Sequence, residues 1–282
     1  MEDVKKGALY IVGTPIGNLE DFSPRAAETL RQVDFIAAED TRVTVKLLNR
    51  FAIKKPLVSY FEHNKVGRGE QLVARLLAGE SCALVSDAGM PAISDPGETL
   101  VASCAEQGIP VYVVPGPTAV ISALAVSGLP TGRFTFEGFL SVNKRSRLEH
   151  LNAIEKEPRT MVFYEAPHKL RKTLSDLFKT LGERRVAVVR ELTKIHEEVW
   201  RTTLSKAAAH YREREPKGEY VLVIEGAQAP EPAEAYTLED AAELARELVG
   251  KGSSSSEAAK EAARVTGLKK GDVYRELVEK EE

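Results

Sequence analysis

The sequence predicts an α/β protein with two α/β domains and a small C-terminal domain that is all helical and resembles a helix-turn-helix. Two observations support this fold class. Short apolar runs typical of strands alternate with helical patterns over most of the chain. A proline-rich segment, residues 228–235, then precedes a stretch that carries only helical patterns, residues 236–282. The length of 282 residues is enough for two domains and a small third one.

Ten apolar runs predict the strands. The first five, separated by helical patterns, are Ala8–Val12, Val33–Ala38, Leu57–Phe61, Cys82–Ser86 and Val111–Val114. The other five are Phe134–Leu140, Met161–Tyr164, Val186–Arg190, Val199–Thr203 and Tyr220–Glu225. Little helix separates the last strands, which predicts that the second sheet is partly antiparallel. We therefore expect domains at residues 1–116 and 117–227.

Several helix ends are also marked in the sequence. Ser23 followed by Pro24 is typical of an N-cap and first helical residue, and predicts a helix to about Gln32. In the tail, residues 237–240 and 254–257 match the capping-box pattern. Gly250 is expected to stop the first tail helix. Gly267 is expected to turn the chain into a last helix at 272–280.

Composition excludes some classes of protein. The chain has 43% hydrophobic and 29% charged residues, a net charge of −3 and a pI near 6.1, so it is not a strongly basic nucleic-acid binder. No apolar run approaches about 18 residues, and the N-terminus lacks an apolar signal core. We expect a cytoplasmic protein without a membrane span. Cys82 and Cys104 lie in apolar stretches and are expected to be reduced core residues, with no metal site.

The charge is unevenly distributed. Residues 139–215 contain 17 Lys and Arg against 11 Asp and Glu, a net charge of +6. The tail, residues 234–282, contains 8 basic and 12 acidic residues, a net charge of −4. A basic second domain is a plausible phosphate-binding surface, whereas the helical tail is as compatible with a packing or dimer contact as with RNA.

Four loops rich in glycine and proline follow apolar runs: Gly13–Asn18, Asp87–Pro91, Ser94–Gly97 and Pro115–Thr118. They match neither the dinucleotide fingerprint nor the phosphate-binding P-loop, and they contain no lysine. Each loop alone is compatible with an ordinary tight turn. Four of them at strand ends favour a small-molecule site, because ligands of α/β sheets bind at the carboxyl ends of the strands.

The motifs as a set resemble the tetrapyrrole-methylase-like superfamily and, within it, the bacterial 16S ribosomal RNA cytidine 2′-O-methyltransferases. They are residues 12–18, 38–42, 86–97, 114–119, 164–169 and 190–198, and the resemblance spans residues 8–226. It implies two α/β domains with a cleft for S-adenosylmethionine (SAM) between them. It also implies a homodimer that acts on 16S rRNA in the small ribosomal subunit. A tetrapyrrole C-methyltransferase is the alternative enzyme, and a non-catalytic RNA-binding module is an alternative of another class.

The resemblance places the SAM pocket on three loops. The residues expected to line it are Gly13, Thr14, Pro15, Gly17, Asp87, Ala88, Gly89, Met90, Ile93, Pro115, Gly116, Thr118 and Ala119. Their glycines are expected to let the main chain approach the cofactor. Asp87 is expected to counter a positive charge of the cofactor, either the ammonium or the sulfonium. An Asx-turn onto Gly89 is the structural alternative.

Methyl transfer to a ribose hydroxyl needs a methyl donor, an aligned hydroxyl and an acceptor for its proton. Glu39, Asp40 and Arg42 form the best polar group for this, with a carboxylate for the proton and an arginine for a phosphate. They are equally compatible with a helix cap and a helical ion pair. His63 is a second candidate base, although a lone histidine is more often structural or exposed. Lys194, at the end of a predicted strand, is expected to face the cleft.

Basic clusters of the second domain provide the expected RNA contacts: Lys144, Arg145, Arg147, Lys169 and Arg171. Tyr60 and Phe61 are candidates for stacking on an unpaired base, and are equally compatible with a core position. Because a slightly acidic protein binds bare RNA weakly, we expect assembled or partly assembled subunits to be better substrates than free rRNA.

Overall fold

The computed structural model describes residues 3–228 and 236–279. The chain forms two compact units, Met1–Ala227 and Gln228–Glu282. Apart from Gln228, the predicted linker at 228–235 lies outside the described residues.

The first sheet is fully parallel, with strand order β3-β2-β4-β1-β5. Its strands are β1 Leu9–Val12, β2 Phe35–Ala38, β3 Leu57–Ser59, β4 Cys82–Val85 and β5 Val111–Val114. The helices of this region are α1 Pro24–Gln32, α2 Thr41–Arg50, α3 Lys65–Leu77, α4 Gly97–Glu106 and α5 Ala119–Ser127. Strands β1, β2 and β4 are buried at every residue, which accounts for their continuous apolar sequences.

Helices cover both faces of the first sheet. Helices α1 and α2 share a core with one face, and α3 and α4 share a second core with the other. Strands β1 and β4 are neighbours, yet the helices that follow them lie on opposite faces. Such a switch point opens a crevice at the carboxyl ends of the strands. Both cysteines are buried in the second core as free thiols, and burial raises the pKa of Cys82 to about 12.

The second sheet has the order β6-β7-β10-β8-β9. Its strands are β6 Phe134–Gly138, β7 Thr160–Glu165, β8 Arg185–Arg190, β9 Glu198–Thr203 and β10 Tyr220–Ile224. Only the β6–β7 pair is parallel, which confirms the prediction of a partly antiparallel sheet. Helices α6 Lys144–Ala153, α7 Pro167–Leu181 and α8 Leu204–Glu213 cover one face, and α5 covers the other.

The C-terminal unit consists, in its described part, of α9 Leu238–Gly250, α10 Ser255–Thr266 and α11 Lys270–Glu279. Both predicted capping boxes are present, at residues 237–240 and 254–257. Gly267 ends α10 in the left-handed conformation, as its position after the helix predicted. The core is built mainly from alanines of α9 and α10, with Val273 and Leu277 of α11 packed against them.

Candidate active site

A cavity of about 490 Å³ lies between the carboxyl ends of the first sheet and one face of the second sheet. This volume is typical of small-molecule sites, which span roughly 300–1,000 Å³. The first sheet and its loops contribute Ile16, Glu39, Ser86, Asp87, Ala88, Gly89, Met90, Ile93, Ser94 and Asp95. The other lining residues are Thr118, Ala119, Phe139, Tyr164, Glu165, Ala166, Pro167, Val189, Leu192, Glu219, Tyr220 and Val221.

The cavity lining is acidic. Its charged side chains are Glu39, Asp87, Asp95, Glu165 and Glu219, and none of its lining residues is Lys, Arg or His. Such a site favours a cationic ligand and disfavours one that brings phosphate or carboxylate groups into it.

Glu39 and Asp87 join the ends of β2 and β4 across the cavity wall. The backbone N–H of Asp40 donates to the Asp87 carboxylate at 3.0 Å, and the N–H of Asp87 donates to Glu39 at 3.5 Å. Burial, together with the charge of Asp87, raises the pKa of Glu39. Burial, together with the charge of Asp40, raises the pKa of Asp87. Two carboxylates are therefore held close together in the cavity wall, Glu39 half-buried and Asp87 more exposed, and the pKa of each one is raised.

Asp40 and Arg42 have a different environment from Glu39. Asp40 is the N-cap of α2 and accepts from the backbone N–H of Arg42. The Arg42 guanidinium, 87% exposed, forms an ion pair with the same carboxylate at 2.6 Å. The hydrogen bonds from Arg42 lower the pKa of Asp40 to about 2, so Asp40 is a poor proton acceptor. The structural and functional interpretations thus apply to different residues of this group: Asp40 caps the helix, whereas Glu39 lines the cavity.

Loop glycines pack against neighbouring backbone. A Cβ added to Gly13 would lie 2.7 Å from the Cα of Gly116, and one added to Gly116 would lie 2.8 Å from the Cα of Gly13. Thr14 is buried, and its backbone exchanges hydrogen bonds of 2.9 and 3.1 Å with Gly89. These contacts fix the loops after β1, β4 and β5 against one another behind the cavity wall.

Of the predicted cofactor residues, Asp87, Ala88, Gly89, Met90, Ile93, Thr118 and Ala119 line the cavity, whereas Gly13, Thr14, Pro15, Gly17, Pro115 and Gly116 do not. Gly17 instead contacts the segment that follows β8, where an added Cβ would lie 2.6 Å from the Cγ of Lys194.

Lys194 donates to Glu191 and Glu219, both at 2.9 Å. Burial disfavours its charge, but these two bonds outweigh burial and raise the pKa of Lys194. Lys194 therefore joins two loops beside the cavity.

Left-handed backbone at residues other than glycine is concentrated around the cavity. Ala92 (φ 67°), Ser94 (φ 68°), Glu191 (φ 51°) and Thr193 (φ 64°) adopt it, and Ser94 lines the cavity itself. Such conformations cost of order 1–3 kcal/mol each and cluster at functional sites. Thr193 is the most strained of the four, because it is β-branched and its buried hydroxyl has no hydrogen-bond partner.

The wall formed by the second sheet is mainly apolar and aromatic, and our sequence analysis did not identify it. Its aromatic side chains are Phe139, Tyr164 and Tyr220, and the ring centroids of Phe139 and Tyr164 lie 5.5 Å apart. Glu165 follows Tyr164 and is buried, accepting hydrogen bonds from the hydroxyl of Thr173 and from the N–H of Ala166. The motif at residues 164–169, one of those that carry the resemblance, is the sequence signal for this wall.

The other predicted catalytic and stacking residues lie elsewhere. His63 is exposed and does not line the cavity, and its ring lies 6.2 Å from that of Phe61. Tyr60 is 1% exposed and belongs to the core under α3 and α4, so the core interpretation holds for Tyr60. Phe61 is 37% exposed outside the cavity.

The predicted RNA-contacting residues fall into two groups. Lys144 and Arg145 are exposed at the start of α6, and Lys169 is partly exposed at the start of α7. Arg147 is buried and bonds Asp176 at 2.7 Å, and Arg171 donates to the Tyr211 carbonyl. Arg147 therefore holds the fold together and does not present its guanidinium to a ligand, whereas Arg171 is anchored through its Nε and remains exposed.

Among residues 3–228 and 236–279, no cluster of three or more His, Cys, Asp or Glu is arranged to hold a metal ion. Within the same ranges, no helix is long and apolar enough to cross a membrane.

The family model for tetrapyrrole (corrin/porphyrin) methylases matches residues 8–208. A protein of Synechocystis sp. named Ribosomal RNA small subunit methyltransferase I is 51% identical over 98% of this chain and 99% of its own length. An Escherichia coli O157:H7 protein of the same name is 46% identical over 99% of this chain and 97% of its own length. The namesake from Thermotoga maritima is 50% identical over 78% of this chain and 99% of its own length.

Solved structures show the same fold at low sequence identity. Diphthine synthase aligns with a TM-score of 0.61 at 14% identity, over 77% of this chain and 90% of that one. The uroporphyrin-III-C-methyltransferase of Thermus thermophilus aligns with a TM-score of 0.55 at 21% identity, over 77% of this chain and 94% of that one. The chain belongs to the tetrapyrrole methylase family, within the group of proteins named Ribosomal RNA small subunit methyltransferase I.

Proposed function

We propose that this methyltransferase transfers a methyl group from SAM to the ribose 2′-oxygen of a cytidine in the 16S rRNA of the small ribosomal subunit. The names of the relatives support the choice of RNA, and our sequence resemblance supports the cytidine ribose. The observation that carries the proposal is the cavity at the switch point, with five carboxylates in its lining and no cationic side chain.

The acidic lining suits SAM, because the sulfonium and ammonium groups of this donor outnumber its single carboxylate and leave it with a net positive charge. The residues that would hold it are Asp87, Ala88, Gly89, Met90, Ile93, Thr118 and Ala119, all of which line the cavity. A carboxylate at Asp87 offsets a positive charge of the donor, and that charge in turn relieves the repulsion between Asp87 and its acidic neighbours.

Glu39 is the side chain best placed to take the proton of the ribose hydroxyl. When bound, SAM supplies an electrophilic methyl group. The hydroxyl must lose its proton as it reacts, and a carboxylate with a raised pKa is a stronger base than an ordinary one. Asp40 remains tied to Arg42, whose exposed guanidinium is available to an RNA phosphate at the rim.

Two helix starts next to the aromatic wall support an RNA substrate. Helix α6 begins with Lys144 and Arg145, and α7 begins with Pro167, His168 and Lys169, with no acidic residue in either first turn. Cations at helix N-termini oppose the helix dipole, so this arrangement stabilises the protein only when an anion is bound there. The RNA backbone supplies such anions outside the acidic cavity.

The tetrapyrrole alternative fits the cavity less well. Its substrates are macrocycles that carry several carboxylate side chains, which the acidic lining would repel. The neighbours with tetrapyrrole substrates in their names are at most 21% identical and show only the fold.

We further propose that the protein acts in the cytoplasm as a homodimer on assembled or partly assembled subunits. The slightly acidic overall charge supports the preference for subunits, because free RNA offers few contacts besides its phosphates.

Tritiated-methyl SAM tests the proposal when it is incubated with small subunits from cells that lack the modification, with protein-free 16S rRNA and with a carboxylated tetrapyrrole. Mass spectrometry of the digested RNA then locates the label. We expect label on one cytidine ribose, with higher yield on subunits than on free RNA. Label on a base or on the tetrapyrrole, or no transfer from bound SAM, would contradict the proposed reaction.

A further inference from the structure

Strand β6 carries an irregularity directly beside the cavity. Phe136 pairs with Val162 of β7, but the next pair joins Gly138 to Phe163, so Glu137 is an extra residue in β6. Gly138 adopts φ +61°, a conformation that favours glycine. Bulges of this kind change the direction in which the following side chains point, and they are frequent next to active sites.

The bulge changes the face on which Phe139 lies. Side chains alternate between the two faces of a strand, so in a regular strand Phe136 and Phe139 would point to opposite faces. With one extra residue between them, both point to the face of Val162 and Tyr164, which is the cavity side. The ring distance of 5.5 Å between Phe139 and Tyr164 is consistent with this register.

Phe139 forms the exposed end of an aromatic cluster. Phe136 and Tyr164 are partly buried and stack edge to face at 5.0 Å, and burial raises the pKa of the Tyr164 phenol. Phe139 packs against Tyr164 and remains 54% exposed while it lines the cavity. A large aromatic side chain that packs against a second ring and is open to a ligand cavity offers a stacking surface.

The chain that follows Phe139 leads to cations. Ser141 and Asn143 lie in a short loop, and Asn143 caps α6, which starts with the exposed Lys144 and Arg145. A flat apolar ring and a basic helix start are therefore separated by only a few residues of one connected segment. Single-stranded nucleic acid is bound by this combination, with bases on aromatic rings and phosphates on cations.

We infer that Phe139 stacks on the unpaired nucleobase of the acceptor nucleotide, and that the β6 bulge exists to present it. This inference rests on the proposed function and adds the residue that holds the base. The base lies on the aromatic wall, while its ribose reaches the acidic wall that contains Glu39. The donor occupies the loops of the first sheet, so Phe139 contributes to binding of the RNA and not of SAM.

The test compares Phe139→Leu, which keeps an apolar side chain without a ring, with Phe139→Trp, which restores a flat ring. Phe178→Leu is the matched control, because Phe178 is also partly exposed, near the end of α7, but does not line the cavity. Calorimetry gives the affinity for SAM, and methyl transfer to unmodified small subunits gives kcat and KM.

We expect Phe139→Leu to lower kcat/KM for subunits by roughly 5- to 100-fold, the loss typical of one base–aromatic stack. SAM affinity should be unchanged, Phe139→Trp should recover most of the activity, and Phe178→Leu should match the wild type. The inference is overturned if Phe139→Leu transfers methyl groups as well as the wild type, or if its defect is a loss of SAM affinity. A wild-type enzyme that does not methylate subunits would refute the proposed function instead, so the two failures are distinguishable.

Discussion

The two walls of the cavity are built from different chemistry. The wall at the carboxyl ends of the parallel sheet presents Glu39, Asp87 and Asp95. The wall of the mixed sheet presents aromatic and apolar strand residues, and its two carboxylates are already engaged, Glu165 by Thr173 and Glu219 by Lys194. Parallel strands that are buried on both faces can offer a ligand only their end loops, which are polar and rich in glycine. The second sheet offers a face, which is apolar because it also packs against α5.

This difference suggests a division of labour. The two carboxylates with raised pKa values, Glu39 and Asp87, lie on the loop wall, and the surface complementary to a flat base lies on the sheet wall. Substitutions in the first wall should therefore change donor binding and chemistry, and those in the second wall should change acceptor binding. The predictions below test that separation, beginning with the largest effect.

Glu39→Gln should lower kcat by roughly 10²- to 10⁴-fold, the usual contribution of a general base, because the amide cannot accept the hydroxyl proton. SAM affinity should fall much less than kcat, since Asp87 remains. Single-turnover transfer to saturating subunits measures the effect. Glu62→Gln is the control: Glu62 follows β3, pairs with Lys65 at 2.6 Å and lies outside the cavity lining. Equal rates for wild type and Glu39→Gln would remove Glu39 from the chemistry.

Asp87→Asn should weaken SAM binding by at least about tenfold, equivalent to 1.4 kcal/mol, because it removes a carboxylate from the cavity wall. The amide oxygen still accepts the bond from the Asp40 N–H. Calorimetry with SAM and with S-adenosylhomocysteine identifies the charge involved. A loss of affinity for both ligands indicates that Asp87 faces the ammonium group, which they share. A loss of affinity for SAM alone indicates that Asp87 faces the sulfonium. Unchanged affinity for both would refute the placement of Asp87.

The same variant should stabilise the ligand-free protein. The folded-state pKa of Asp87 is raised, so the folded protein holds this proton more tightly than the unfolded chain does. The free energy of unfolding therefore falls as pH rises from the ordinary aspartate pKa of about 3.9 through the raised pKa of the folded state. At neutral pH the ionised group is destabilising. We expect a higher Tm for Asp87→Asn than for the wild type at pH 7 without SAM. A lower Tm would show that the carboxylate stabilises the loop.

Gly116→Ala should destabilise the protein by about 1–3 kcal/mol, because its Cβ would lie 2.8 Å from the Cα of Gly13. The two loops would have to separate behind the cavity wall, which should also weaken SAM binding. Gly132→Ala is the control, since an added Cβ meets nothing within 4 Å there. Denaturant unfolding compares the two variants. Equal stability would show that the close approach of the two loops is not required.

Lys144→Glu and Lys169→Glu should have the smallest effects. Each should raise KM for subunits and reduce the slope of log affinity against log salt by roughly 0.7–0.9, the value for one phosphate contact. Lys179→Glu, at the other end of α7, should change neither quantity. If all three variants share the wild-type salt slope, the helix starts do not contact the RNA backbone.

Local sequence was sufficient for much of the fold. Ser23 and Pro24 begin α1 as predicted, and both capping boxes of the tail form, because these signals act within one turn of helix. The predicted strand through Leu140 instead ends at Gly138, after the bulge. A bulge depends on pairing with β7, which lies more than twenty residues further along the chain, so the sequence of β6 alone does not reveal it.

The site was predictable where it lies in loops and not where it lies on a strand face. Asp87 could be identified because it lies in a loop rich in glycine and proline that the resemblance assigns to the cofactor, and Glu39 because it belongs to a polar group at the end of a strand. Phe139 and Tyr164 could not, because an aromatic residue in a strand is more often part of the core, as Tyr60 proved to be. Arg147 shows the converse error, since a basic cluster does not reveal which of its members is buried in an ion pair.

The pH dependence of methyl transfer tests the role of Glu39, and with it the acidic wall, most directly. Single-turnover rates with saturating SAM and subunits, from about pH 5 to about pH 9, should show an acid limb in the wild type. Because burial and Asp87 raise the pKa of Glu39, that limb should lie above the usual glutamate value of about 4.3. Glu39→Gln should be slow and lack the limb. A variant that keeps the wild-type profile would contradict the account.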